Sequence, residues 1–387
     1  MKRDVIVYFG MGFLPESNAV ACRQQAFAHM IKASGYTPVL IGINKNLSWH
    51  EYKKEVFNDV ECYSIKYASS LSEKLFDSFA IKKTFLKIFE DIGIERIKCF
   101  IMQDYQFNTM HMLNKFCRKN KIAFVADLMD WFTPTRDYTL GKNIFKTIDM
   151  FFRANFLYPF LNNKIFISSK FYNRFKNDKR NGIIIPCTCT DSSKETASDT
   201  PLHDSIKITF AGEPGLRFQK EKLDWVVKAL YECNNTIEMN IIGITKDDFI
   251  LRSGDIGKHL TDYIHFYGRL PRSECLAIIK NSDFSIIVRQ SNNLTNYGFS
   301  SKICESFACG IPVIATDTSD NKKYIIDGVT GYVCNPDYDS IKLLLHQIGQ
   351  LDRASIVEMH NNLRENNPLS PENYMECFSA FIENLII

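Results

Sequence analysis

Short apolar runs alternate with helical spacings along most of the 387-residue chain. DVIVYFG (4–10), TPVLIGI (37–43), IKCFIMQ (97–103), IAFVADLM (122–129) and KIFISS (164–169) are continuous in apolar character rather than alternating. A strand with one wet face alternates. A continuous run marks a strand buried on both faces, as in a parallel sheet covered by helices. Residues 19–33 and 110–120 between these runs carry helical patterns. The β-α-β-α rhythm predicts α/β architecture with right-handed crossovers.

The rhythm pauses over the Ser-, Thr- and Asp-rich residues 191–205 and then restarts. IKITFAG (206–212), IEMNIIGI (237–244), YIHFYG (263–268), DFSIIV (283–288) and IPVIAT (311–316) read as strands, with helices expected over 223–231 and 301–309. The expected organisation is a Rossmann-like domain over 1–190, a linker over 191–205 and a second Rossmann-like domain over 206–367. A last helix follows over 368–387, where Ser370 can cap, Pro371 suits the first turn and Glu372 favours the positive helix end.

Forty-seven basic residues face 44 acidic ones, for a net charge of +3. That balance is too even for nucleic acid to be the main partner. The 12 cysteines form no closely spaced framework, and Cys99, Cys117, Cys304 and Cys309 sit singly inside apolar runs. Buried thiols of this kind point to a reducing compartment and a cytoplasmic protein. The start, MKRDVIVYFGMGFLPESNA, reads as a first strand rather than a secretory leader. No stretch of about 18 apolar residues predicts a membrane span.

Ligands of open α/β sheets sit at the carboxyl ends of the strands. One such end carries Gly212, Pro214 and Gly215, followed by Arg217, Lys220 and Lys222 near a helix start. Glycine lets the backbone approach a ligand, and free helix N–H groups favour an anion, so a diphosphate site is one reading and a turn with solvated charges the other. A second end carries Arg289, then Gly298, Ser300 and Ser301 entering a helix with Glu305 one turn along. A carboxylate there can hold a ribose diol, or be a solvated first-turn acid. Asp337-Tyr338-Asp339 has metal-motif spacing but reads as a helix cap, and Cys187-Thr188-Cys189 lacks a second ligand pair, so no metal is expected.

These residues resemble the donor-binding half of GT-B glycosyltransferases, specifically the bacterial group 1 family (glycosyltransferase family 4-like, retaining). The family's loop-helix-strand stands here as Tyr297-Gly298-Phe299-Ser300-Ser301-Lys302-Ile303-Cys304-Glu305-Ser306-Phe307-Ala308-Cys309-Gly310-Ile311-Pro312-Val313. FYGRLPRSECLAIIKNSDFSII before it, DNKKYIIDGVTGYVCNP after it and the FAGEPGLRFQKEKLDWVVKAL turn add to the likeness. The resemblance implies two Rossmann-like domains facing a cleft, with the last helix returning to the first domain. It implies a UDP- or GDP-linked sugar as donor substrate and no separate cofactor. Glu305 would bind the ribose, and Arg217 and Lys220 the diphosphate, with Lys222 nearby. Gly212 and Gly215 would shape that turn. Gly298, Phe299, Ser300 and Ser301 would face the sugar and its phosphate, with Lys302 and Arg289 as secondary contacts. Tyr297 replaces the family's first glutamate, which usually contacts the donor sugar. Arg217 and Lys220 would stabilise the leaving diphosphate.

The first half is expected to present the acceptor. Gly12 and Asn18 flank a loop after the first strand, and Asp130 ends another strand beside Trp131 and Phe132. Relatives suggest a lipid-linked or saccharide acceptor in surface polysaccharide assembly. KKTFLKIFE (82–90) and KNIFKTIDMFFRANFLYPF (142–160) mix Lys and Arg with aromatics, as peripheral contact with the inner face of the cell membrane requires, although the same aromatics could fill a core. A nucleotide-sugar epimerase of the same fold, an inactive sugar-binding partner and an NAD-dependent oxidoreductase are the competing readings. The last is weak, because GMGFLP supplies only two of the three glycines of its phosphate turn.

Overall fold

A computed structural model describes residues 4–14, 19–68, 70–134, 139–189, 205–233 and 237–387. Its described residues form two compact units, those up to 189 together with Pro371–Ile387 in the first and those from 205 to 370 in the second. The polar stretch 191–204 lies outside the described residues.

The first unit contains eight strands: β1 (Val5–Phe9), β2 (Thr37–Asn44), β3 (Tyr52–Phe57), β4 (Val60–Lys66), β5 (Ile97–Gln103), β6 (Ala123–Leu128), β7 (Asn163–Phe166) and β8 (Asn181–Ile184). They form one sheet in the order β3-β4-β2-β1-β5-β6-β7-β8. Among the described residues only the β3–β4 pairing is antiparallel. The continuous apolar runs became strands buried on both faces, with every residue of β1 and β6 buried. The β3–β4 hairpin departs from that pattern. YKKEVF carries three charged residues in a row, Lys53, Lys54 and Glu55, at the sheet's edge, where charge deters pairing with another chain.

The second unit contains β9 (Lys207–Ala211), β10 (Glu238–Ile242), β11 (Ile264–Gly268), β12 (Phe284–Ile287), β13 (Val313–Thr316) and β14 (Gly331–Cys334). All pairings of these six strands are parallel, in the order β11-β10-β9-β12-β13-β14. Chain order reverses between β9 and β12, so the two loops leaving these strands diverge and open a crevice at their carboxyl ends. In the first sheet the same reversal falls between β1 and β5.

Two sequence expectations need correcting. The aromatics of residues 82–90 are not presented to a membrane. Phe85, Ile88 and Phe89 are fully buried in the Leu71–Ile92 helix, where Phe85 and Phe89 pack on Phe100 of β5. The last helix does not start at Ser370. A 3-10 turn over Pro371–Tyr374 comes first, and α-helix begins at Met375.

That last helix (Met375–Glu383) sends Phe378, Phe381 and Ile382 into the same core cluster as Ile6, Tyr8 and Phe27. Asn163 fixes the chain end by donating to the Ile386 carbonyl at 2.7 Å and accepting from its amide at 2.9 Å. Truncating a fully buried phenylalanine costs about 3–5 kcal/mol. Phe378→Ala therefore lowers the stability of the first unit by that amount in a urea titration, while an exposed change such as Cys377→Ser moves it by less than about 0.5 kcal/mol.

Candidate functional site

The crevice at the β9–β12 switch is built around one carboxylate. Glu221 follows the turn after β9 and is fully buried. Its Oε1 accepts from Arg289 Nη2 at 2.8 Å and Nε at 3.2 Å. Its Oε2 accepts from the Lys302 ammonium. Backbone bonds hold these segments in place. Lys222 N–H donates to the Val288 carbonyl at 2.7 Å, and Glu221 and Lys220 N–H both donate to the Pro214 carbonyl. Arg289 N–H donates to Thr316 Oγ1 at 2.8 Å, and that hydroxyl donates back to the Arg289 carbonyl. The ends of β9, β12 and β13 are thereby tied together.

Gly212 explains why the turn is built as it is. Its φ is +137°, and a Cβ there would lie 2.5 Å from Lys302 Cε and 2.6 Å from Nζ. The lysine therefore lies across bare backbone, with its ammonium 4.6 Å from the Phe210 ring centroid.

Burial alone would raise the pKa of Glu221. Lys302, Arg289 and Lys220 outweigh it and pull the value down to about 2. Burial pushes the Lys302 ammonium down to about 8, with Glu221 opposing and Arg289 adding to the fall. At neutral pH one negative charge therefore faces two adjacent positive ones, and a cation is left over.

Lys302 is the second residue of the Ser301–Ala308 helix. The first N–H groups of a helix have no partner within it. Ser300 precedes it, is 4% exposed, makes no side-chain cap, and its Oγ has no partner. A positive helix end, free amides, an unpaired hydroxyl and a surplus cation are the components of an anion site.

Of the remaining residues singled out in the sequence, Glu305 borders the same narrow space as Lys302, Thr209 and Ala211. Its carboxylate accepts from Arg272 Nη1 at 2.5 Å. Gly298 closes the short Asn293–Tyr297 helix. Tyr297 and Phe299 are buried, and Phe299 packs edge-on against Tyr324 at 5.3 Å, so these rings shape the loop. Lys220 is exposed, whereas Lys222 turns toward Trp225, 5.1 Å from its ring centroid. Gly215 has φ +84° in the turn. The side chain of Arg217 lies outside the described residues. Asp337 caps the Tyr338–Ile348 helix by accepting from Ser340 N–H at 2.8 Å.

In the first unit, the Gly12 carbonyl accepts from Ile43 N–H, and a Cβ on Gly12 would strike Gln24. Asn18 lies outside the described residues. Asp130 is exposed, and its N–H donates to Asp104 Oδ2 at 3.1 Å. Asp104, at the end of β5, is the better-protected carboxylate. It also accepts from Met129 N–H at 2.7 Å and Tyr158 OH at 2.6 Å. Burial raises its pKa to about 6 against the opposing pull of Arg153 and these donors.

Glu221→Gln leaves two cations around a neutral amide, which costs about 3–5 kcal/mol at neutral pH. The carboxylate's depressed pKa gives a similar figure, about 3 kcal/mol for a fall from 4.5 to about 2. That stabilisation is complete above pH 4.5 and disappears as pH falls through about 2. Denaturant titrations of wild type and Glu221→Gln should diverge at pH 7 and converge toward pH 2. Curves that stay parallel over that range would contradict the assignment.

Residues 217–369 match the family of glycosyl transferases group 1. Over 221 residues the chain is 25% identical to an uncharacterized glycosyltransferase of Methanocaldococcus jannaschii. That alignment takes in 55% of this chain and 50% of the other, so the chain spans about half the length of the curated relative it matches. The fold is similar to that of sucrose-phosphate synthase from Thermosynechococcus elongatus (15% identity, 98% of each chain, TM-score 0.68). It is also similar to that of Anabaena HepE in complex with UDP and glucose (12% identity, 99% of this chain and 100% of that one, TM-score 0.64). With a parallel switch-point sheet in its second unit, the chain has the GT-B fold, and its residues 217–369 match the group 1 glycosyl transferases.

Proposed function

We propose that the protein transfers a sugar, with retention of configuration, from a nucleoside diphosphate to a saccharide acceptor. The observation that carries this reading is the surplus positive charge at the β9–β12 switch, where Lys302 and Arg289 share one carboxylate below a helix N-terminus. A diphosphate seated over Gly212 and the amides of Ser301 and Lys302 would neutralise that surplus. The uridine nucleotide in the Anabaena neighbour favours UDP as the carrier. Glu305, on the same helix as Lys302, would hold the ribose, with Arg272 fixing its carboxylate.

As the bond from sugar to phosphate breaks, negative charge grows on the diphosphate and positive charge on the sugar. Cations already held in place by Glu221 stabilise the leaving group without reorganising. In the retaining transfer proposed here the leaving phosphate would take the acceptor's proton, so no pair of catalytic carboxylates would be needed. Asp104 and Asp130, at the ends of β5 and β6, are candidates to orient the acceptor hydroxyl. A lipid-linked acceptor in surface polysaccharide assembly, met at the inner face of the cell membrane, fits a chain in which no described helix is long and apolar enough to cross one.

Calorimetry with UDP tests the donor site. Affinity should fall by up to about tenfold per pH unit above pH 8, where the Lys302 ammonium loses its proton. Lys302→Arg, which does not titrate, should abolish that decline. Lys302→Met and Arg289→Met should each lower kcat/KM for sugar transfer by about 10²–10³. UDP affinity that ignores all three substitutions would place the donor elsewhere.

A further inference from the structure

Lys164, the second residue of β7, is a buried cation with no acid partner among the described residues. It is 1% exposed. Its ammonium donates to the carbonyls of Tyr158 at 3.2 Å and Leu161 at 3.0 Å. A charged side chain taken out of water ordinarily has an opposite charge beside it, because neutral acceptors replace only part of its hydration.

A second cation enlarges the imbalance. Arg180 Nη1 donates to the same Leu161 carbonyl at 3.2 Å, so an ammonium and a guanidinium meet at one neutral oxygen. Burial and the Arg180 charge push the Lys164 pKa down to about 8, which leaves it protonated at neutral pH. Arg180 is held where it is. Its N–H closes a turn on the Asn177 carbonyl at 2.9 Å, and its guanidinium lies 5.9 Å from the Phe160 ring centroid. Among the described residues neither Arg180 nor Lys176 forms an ion pair.

A cavity of about 90 Å³ opens at these groups, lined by Lys164, Tyr172, Lys176 and Arg180. Gly182 of β8 stands opposite Lys164 in register and also lines the cavity, so the edge strand puts no side chain into that space. Asp178 is the acid among the lining residues, and it is exposed. Three positive charges therefore face one negative. Water could accept the remaining ammonium proton but would not balance the charge. The volume is far below the roughly 300–1,000 Å³ of pockets that enclose drug-sized ligands, so the occupant is a small anion. We propose that this is a binding site for a free phosphate dianion, whose oxygens would accept from Lys164 and Arg180 together. It lies at the amino ends of β7 and β8, whereas the switch crevice of the first unit lies at the carboxyl ends of β1 and β5. The inference therefore does not rest on the proposed sugar transfer.

Its test is a calorimetric titration of inorganic phosphate into the full chain, with chloride holding the ionic strength constant. Wild type and Lys302→Met should both bind phosphate, because the donor crevice takes no part. Lys164→Met should weaken that binding by about tenfold or more, the loss expected for a hydrogen bond between charged groups. Lys176→Gln with Arg180→Gln should do the same. Neither of those two side chains is buried, so the melting temperature should stay within a few degrees, which keeps the test decisive even where Lys164→Met does not fold. Wild type that binds no phosphate, or unchanged affinity in the Lys164 and Lys176/Arg180 variants, would overturn the inference. So would binding that disappears in Lys302→Met and persists in Lys164→Met, which would put the phosphate in the donor crevice and leave the proposed function standing.

Discussion

The second unit depends on one buried negative charge. Glu221 has no access to solvent and would be too costly to ionise alone. Its two cationic partners come from the end of the next strand in the sheet and from the helix that follows. Lys302, buried in its turn, keeps its proton at neutral pH partly because Glu221 is charged. Neither group is stable in place without the other. Their mutual requirement fixes the loop after β9, the loop after β12 and the Ser301–Ala308 helix relative to one another.

That constraint has a chemical consequence. A buried pair of equal and opposite charges would leave nothing for a ligand. Here two cations share one carboxylate, Lys220 adds to the field, and the nearby helix end contributes its own partial charge. On the proposed function, this surplus would meet an anion carrying more than one negative charge. A similar economy appears at the β1–β5 switch of the first unit, in weaker form. Gln103 accepts from Met11 N–H at 2.8 Å, and Asp104 collects donors from the loop after β6 and from Tyr158.

Much of the fold is legible in the sequence because burial on both faces leaves a continuous apolar run. The Ala19–Ala33 helix and strand Ile97–Gln103 have the limits that the pattern predicts. Tyr52–Phe57 escapes that reading because this edge strand holds three charged residues in a row, Lys53, Lys54 and Glu55. In the site, Gly212 and Arg289 are found by the rule that ligands meet strand ends, and Lys302 by the family resemblance. Glu221 is not, because its partners lie 68 and 81 residues away and nothing local sets it apart from a solvated acid between two lysines. Arg272 escapes notice similarly, 33 residues from Glu305. The two basic and aromatic stretches look alike in the sequence, yet Phe85 and Phe89 are core and Phe151 and Phe156 are surface. Composition states what a helix contains, and only packing decides which face it turns outward.

The most direct test of the account is a crystal structure of the chain with UDP. The account predicts the diphosphate over Gly212 and the first amides of the Ser301–Ala308 helix, with a phosphate oxygen about 3 Å from Lys302 Nζ and the ribose hydroxyls at Glu305. A nucleotide bound away from Lys302, with the Glu221 cluster untouched, would contradict it.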